Sequence, residues 1–127
     1  VHRDLKPDNV LVVRDADADT ADPDVPAERV KVVDFGIAKA LGGDEAPGAG
    51  LTRTGFIIGT PEYMSPEQVL GTTLDARSDV FSLALLAYRA LAGALPFGGR
   101  TPEETLTARL THAARPLAEL RPDVPFP

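Results

Sequence analysis

One stretch limits the fold more than any other. Between Ser78 and Gly93 the chain carries Val80, Phe81, Leu83, Ala84, Leu85, Leu86, Ala87, Tyr88 and Leu91, with no proline or glycine among them. The pattern predicts a helix that begins near Ser78 and stops at Gly93. Its apolar residues fall on nearly every face, yet the uncharged run from Val80 to Tyr88 is too short to cross a bilayer. A helix of that kind is expected at the centre of a domain, with other segments packed around it.

The remaining elements are shorter. Thr101 reads as an N-cap, with Pro102 at the first helical position, Glu104 as capping-box partner, and Leu106 and Leu110 on one face. That helix is expected to end near Thr111, and the tail, with Pro116, Pro122, Pro125 and Pro127, reads as extended. Val10 to Val13 reads as a short buried strand and Val30 to Val33 as its hairpin partner. Their connection, 15–28, is an acidic insertion without apolar period, expected to be a solvated loop with no role of its own. From Leu41 to Gly55, Gly42, Gly43, Gly48, Gly50 and Gly55 with Pro47 break any period, which predicts a mobile loop holding Thr52 and Thr54.

Composition narrows the function. The chain has 127 residues, 43% hydrophobic and 25% charged, which suits one soluble domain and leaves no room for two. Its 13 basic and 19 acidic residues give a net charge of −6, so the positive field needed for nucleic acid or anionic lipid is missing. The excess is local: removing Asp15, Asp17, Asp19, Asp22, Asp24 and Glu28 leaves equal numbers of acids and bases. Without cysteine there are no disulfides or thiolate metal sites, and His2 and His112 alone argue against a histidine-based zinc site. No basic-then-apolar signal opens the sequence, and Val1 begins directly in motif-bearing sequence. A cytoplasmic fragment of a longer protein is expected, with any membrane anchor lying outside these residues.

The motifs come in a fixed order. The chain opens His2-Arg3-Asp4-Leu5-Lys6-Pro7-Asp8-Asn9, and Asp34-Phe35-Gly36 stands 25 residues after Asn9, at the end of the second strand. Gly59-Thr60-Pro61-Glu62-Tyr63-Met64 then leads into Ser65-Pro66-Glu67. This series resembles the catalytic loop, the metal-binding triplet and the closing triplet of the activation segment in protein kinases. Alone, Asp-Phe-Gly is more often an ordinary turn, and His-x-Asp followed by Asn fits small-molecule phosphotransferases too. Together with Lys6, Pro7, Thr60 and Glu67, accidental agreement is remote.

Phosphoryl transfer needs an aligned hydroxyl, a carboxylate to take its proton and cations to hold the phosphates. The resemblance makes Asp4 that base and Lys6 a point charge near the transferred phosphate. Asn9 and Asp34 become ligands of magnesium, or of manganese in its place, as oxygen donors suited to a hard ion. Leu11 resembles the residue beneath adenine, completing with Lys6, Asn9 and Asp34 an ATP-binding set. Thr60 resembles the threonine that bonds the catalytic aspartate and lysine, which, like Lys6, marks serine/threonine specificity. Arg3 resembles the arginine that pairs with a phosphorylated activation loop, and Thr52 and Thr54 resemble autophosphorylation sites of bacterial kinases. His2 and Phe35, the latter followed by Gly36, match members of a stacked hydrophobic spine. Asp79 resembles the aspartate that anchors the catalytic loop; without the family it is an acid favoured at a helix N-terminus. Glu67 in the family pairs with an arginine, here expected beyond Pro127, so that the glutamate is left buried and unpaired.

The resemblance thus implies an α+β protein-kinase-like fold: a mainly helical large, C-terminal lobe with a short hairpin at the cleft, and the N-terminal lobe absent. It spans 1–127, from the catalytic loop through the helix after the activation segment. The Gly-rich loop, strand lysine and adenine hinge are missing from these residues, and Ala84 replaces a usual glycine. The expected function is an ATP- and magnesium-dependent bacterial serine/threonine protein kinase acting on proteins and on itself. It has no nucleic-acid partner or membrane segment, and the piece alone is inactive. A bacterial source is further indicated by alanine richness and by ten arginines to three lysines. Two rival readings are a non-catalytic pseudokinase scaffold, opposed by the intact Asp4, Asn9 and Asp34, and a small-molecule phosphotransferase, opposed by Lys6 and the 59–67 sequence.

Overall fold

Val10–Arg14 (β1) and Glu28–Val32 (β2) form an antiparallel pair in which Val10 faces Val32, Leu11 faces Lys31 and Val12 faces Val30. The β-branched residues of both segments favour this pleated pairing. The computed structural model describes residues 1–14, 28–34 and 61–125. Most of the acidic insertion, the loop with Thr52 and Thr54, and Phe35, Gly36 and Thr60 lie outside the described residues. The expectation of buried strands is corrected: Leu11, Val12, Val30 and Val32 are exposed. Among the described residues the sheet has only these two strands.

Among the described residues four α-helices follow: Pro66–Leu70 (α1), Ala76–Ala92 (α2), Pro102–Thr111 (α3) and Leu117–Leu120 (α4). Helix α1 opens on a full capping box, Ser65 Oγ accepting from the Gln68 N–H and Gln68 Oε1 accepting from the Ser65 N–H. Gly71, at φ 65°, ends it in the left-handed conformation that glycine takes most easily. Helix α2 starts two residues before the expected Ser78, with Asp75 as N-cap, and stops at Gly93. Helix α3 has the expected bounds, with Thr101 Oγ1 accepting from the Glu104 N–H. The reciprocal half differs: the Glu104 carboxylate takes the N–H of Arg100, at 2.6 Å. The tail is not wholly extended, since Pro116 leads into the single turn of α4.

The central-helix expectation also needs correction. On α2 only Ser78, Ser82 and Leu85 are buried, whereas Val80 and Leu83 are 64% and 55% exposed. The main elements against α2 are α1, α4 and the 3₁₀ turn Pro61–Tyr63, and they leave that stripe uncovered. Among the described residues what is buried is largely polar: His2, Asn9, Ser65, Ser78, Ser82 and Arg109 join the apolar Tyr63, Val69, Leu85 and Leu106. Such polar groups stay inside only when hydrogen-bonded, so the interior is a network that fixes loops in place. Among the described residues no helix is long and apolar enough to cross a membrane.

Candidate active site

The first turn of α2 holds the start of the chain. Asp79 accepts from the His2 N–H through Oδ2 at 2.6 Å and from the Arg3 N–H through Oδ1 at 2.8 Å. Arg3 has a φ of 68°, a left-handed conformation unusual for a residue with a side chain. The cost of such a conformation, on the order of 1–3 kcal/mol, is borne where the surroundings over-determine the backbone. Here the paired carboxylate oxygens provide that restraint. His2 is buried and joins three segments. Its Nδ1 accepts from the Asp4 N–H at 3.3 Å, which places the ring proton on Nε2, 3.0 Å from the Val33 carbonyl it donates to.

Asp4, Lys6 and Asn9 come together around one carboxylate. Lys6 Nζ lies 3.5 Å from Asp4 Oδ2, and Asn9 Nδ2 donates to the same oxygen at 3.3 Å and to the Asp4 carbonyl at 2.8 Å. Pro7 starts the 3₁₀ turn Pro7–Asn9 that folds Asn9 back under Asp4. The Asn9 side chain is therefore oriented with its amide nitrogen toward Asp4. The Asn9 backbone carbonyl accepts from the Val33 N–H at 2.9 Å, extending the hairpin register by one residue. Asp34, the next residue, also has positive φ, at 54°, and is exposed at the open end of the hairpin beside Asn9.

The donor set suits a hard divalent ion. With the Asn9 nitrogen committed to Asp4, its amide oxygen is the remaining ligand atom, and Asp34 adds an exposed carboxylate. One amide and one carboxylate, completed by waters and phosphate oxygens, is a usual arrangement for magnesium. Among the described residues no group of three His, Cys, Asp or Glu forms an all-protein metal cage.

Four residues carry more of the site than the sequence reading assigned them. Ser78 supplies Glu67 with a donor, its hydroxyl lying 2.5 Å from Glu67 Oε1, so the expected unpaired glutamate is half-buried and hydrogen-bonded. Partial burial pushes the Glu67 carboxyl up, but hydrogen bonds from Ser78, the backbone and the Ser65 hydroxyl outweigh it and hold it below its ordinary 4.5. Arg109 of α3 donates to the carbonyls of Pro61, Glu62 and Met64, and its guanidinium lies 6.0 Å and 5.9 Å from the ring centres of Phe81 and Phe97. Ser82 Oγ donates to the carbonyl between them, Tyr63 O, at 2.7 Å. Gln68 Nε2 donates to the Arg3 carbonyl at 2.8 Å. Of these only Gln68 had a local signal, the Ser-x-x-Gln pattern of a capping box. Leu11 sits exposed on β1, and Thr60, Phe35 and Gly36 fall outside the described residues.

The opening loop is thus pinned by a helix aspartate, with Asn9 and Asp34 at the mouth of the hairpin. The family profile described as protein kinase domain matches residues 1–125, and the chain belongs to that family. Among similar proteins, the serine/threonine-protein kinase pkn3 of Myxococcus xanthus is 43% identical over 123 residues, which cover 97% of this chain and 21% of that protein. The serine/threonine-protein kinase pkn2 of Myxococcus xanthus is 39% identical over 122 residues, 96% of this chain and 13% of that protein. PknA of Mycobacterium tuberculosis, also a serine/threonine-protein kinase, is 41% identical over 125 residues, 98% of this chain and 24% of that protein. The chain thus spans between 13% and 24% of the length of these relatives.

Proposed function

We propose that these residues are the C-terminal-lobe part of a bacterial serine/threonine protein kinase domain and carry its proton acceptor and metal ligands. The observation that supports the reading is the Asp4 carboxylate, oriented by Lys6 and Asn9, with the Asn9 backbone bonded to Val33, the residue before Asp34. ATP with magnesium or manganese, when bound, supplies the phosphoryl group and neutralises its charge. Asp4 accepts the proton of a protein serine or threonine hydroxyl, and Lys6 offsets charge on the transferring group. Asn9 and Asp34 provide the oxygens for the ion, and Leu11 provides an apolar contact for the base. By its resemblance to the family, Thr60 is assigned the hydrogen bond to Asp4 and Lys6. Phosphate on Thr52 or Thr54 gives Arg3 a charge-assisted partner. The resemblance gives His2, Phe35 and Gly36 a structural role, as it does Glu67, and Asp79 anchors the loop through the His2 and Arg3 N–H groups. We place the chain in the cytoplasm, where ATP is available, with protein substrates and autophosphorylation as its reactions.

The test uses a full-length protein that contains this chain. Asp4→Ala is expected to lower the rate of transfer from ATP to a protein acceptor by on the order of 100- to 10,000-fold, the usual share of general base catalysis. Equal rates for the two proteins would remove Asp4 from the chemistry. Transfer to aminoglycosides or choline in place of protein would support the small-molecule reading instead.

A further inference from the structure

Arg3 stands immediately before Asp4, and its strained backbone is held from two sides. Its N–H donates to Asp79 on α2, and its carbonyl accepts from Gln68 on α1. The Gln68 side chain is divided between two tasks. Its oxygen accepts the Ser65 N–H at 2.9 Å and closes the capping box of α1, while its nitrogen reaches the Arg3 carbonyl at 2.8 Å. Around this bridge Arg3, Asp4, Leu5, Tyr63 and Met64 line a small gap between the catalytic-type loop and the 61–64 segment. The amide is therefore a direct polar tie across it. Only a side-chain amide of this length offers an acceptor at one end and a donor at the other; glutamate lacks the donor and asparagine is one methylene short.

We propose that Gln68 is a positioning residue that couples the seating of the 61–67 segment to the orientation of Asp4. The proposal rests on the reading of Asp4 as proton acceptor. Displacing the N-terminus of α1 pulls on the Arg3 carbonyl, and a left-handed residue released on one side relaxes toward ordinary backbone angles, turning the next side chain. Loss of alignment at a reacting group costs rate even where every contacting residue is intact.

Two variants of a full-length protein containing this chain separate this role from simple helix capping. Gln68→Glu keeps an oxygen for the Ser65 N–H, so the capping box survives, but removes the donor to Arg3. Gln68→Met removes both. Hydrogen exchange across residues 3–9 is expected to quicken by roughly 5-fold or more in both variants, the effect of one lost hydrogen bond. Exchange within α1 is expected to quicken only in Gln68→Met. In parallel, kcat for a protein acceptor is expected to fall by on the order of 10- to 100-fold in both, with KM for ATP unchanged. Wild-type exchange at 3–9 together with wild-type kcat in Gln68→Glu overturns the proposal and leaves Gln68 a helix cap. If Asp4→Ala leaves transfer untouched, the reading of Asp4 has failed, and the exchange pattern alone still decides whether Gln68 holds Arg3.

Discussion

At the scale of single residues, small polar side chains in this protein hold backbone atoms and carboxylates that would otherwise be costly to bury. Ser78 is an instance: it is almost fully buried, and its hydroxyl serves the Glu67 carboxylate. Because the folded Glu67 titrates below its ordinary 4.5, the carboxylate adds stability that is fully present above that value and is lost as pH falls through the folded midpoint. Ser78→Ala removes the foremost of the hydrogen bonds that lower it. The Glu67 midpoint, followed by carboxyl-carbon NMR, is expected to move upward. Stability at neutral pH is expected to fall by about 1–2 kcal/mol, as for one lost bond to a charged group. In acid below the folded midpoint, wild type and variant should converge. A Glu67 midpoint that does not move would show that the hydroxyl is not what holds the carboxylate ionised.

At the scale of elements, what could be read from the sequence was whatever its own neighbours decide. Thr101, Pro102 and Glu104 mark the start of α3 because an N-cap bonds within three residues, and Gly93 marks the end of α2 for the same reason. The valine-rich runs pair as a hairpin for reasons of local propensity. Burial was not legible, because exposure of Val80 and Leu83 depends on which elements reach α2 and not on the helix itself. The grip of Arg109 was hidden as well: its three carbonyl partners lie 45 to 48 positions earlier in the chain. No pattern in the sequence of α3 distinguishes this arginine from a solvated one. Its removal has a specific expected cost. Arg109→Met keeps the stem against Phe81 and Phe97 but takes the guanidinium from three carbonyls, of which Pro61 keeps the Met64 N–H, and thermal or urea unfolding of a full-length protein should show a loss of about 2–4 kcal/mol. Arg109→Lys, with one ammonium in place of a planar fork, should fall between. Wild-type stability in Arg109→Met would mean that Ser82 and the 3₁₀ turn seat the 61–64 segment unaided.

At the scale of the whole molecule, the distribution of apolar surface sets what the 127-residue chain can do by itself. Among the described residues six of the ten buried ones are polar, whereas Val1, Leu11, Val12, Val30, Leu70, Val80 and Leu83 are exposed. A network of hydrogen bonds fixes geometry but contributes little net stability, because the unfolded chain bonds to water equally well. Apolar burial supplies most of the driving force for folding, and here much of the available surface remains uncovered. The three lysines, Lys6, Lys31 and Lys39, are accounted for by the opening loop, β2 and the residues after the Asp34 triplet. None of the three follows a glycine-rich loop in this sequence. The purified 127-residue chain is therefore expected to bind a hydrophobic dye strongly, to unfold with low cooperativity and to show no phosphoryl transfer. Joined to a segment bearing a glycine-rich loop and its strand lysine, the same residues should lose the dye signal and gain transfer that depends on Asp4. Robust autophosphorylation by the chain alone would overturn this account, and it would show that Asp4, Asn9 and Asp34 can hold and turn over nucleotide from one side of the cleft.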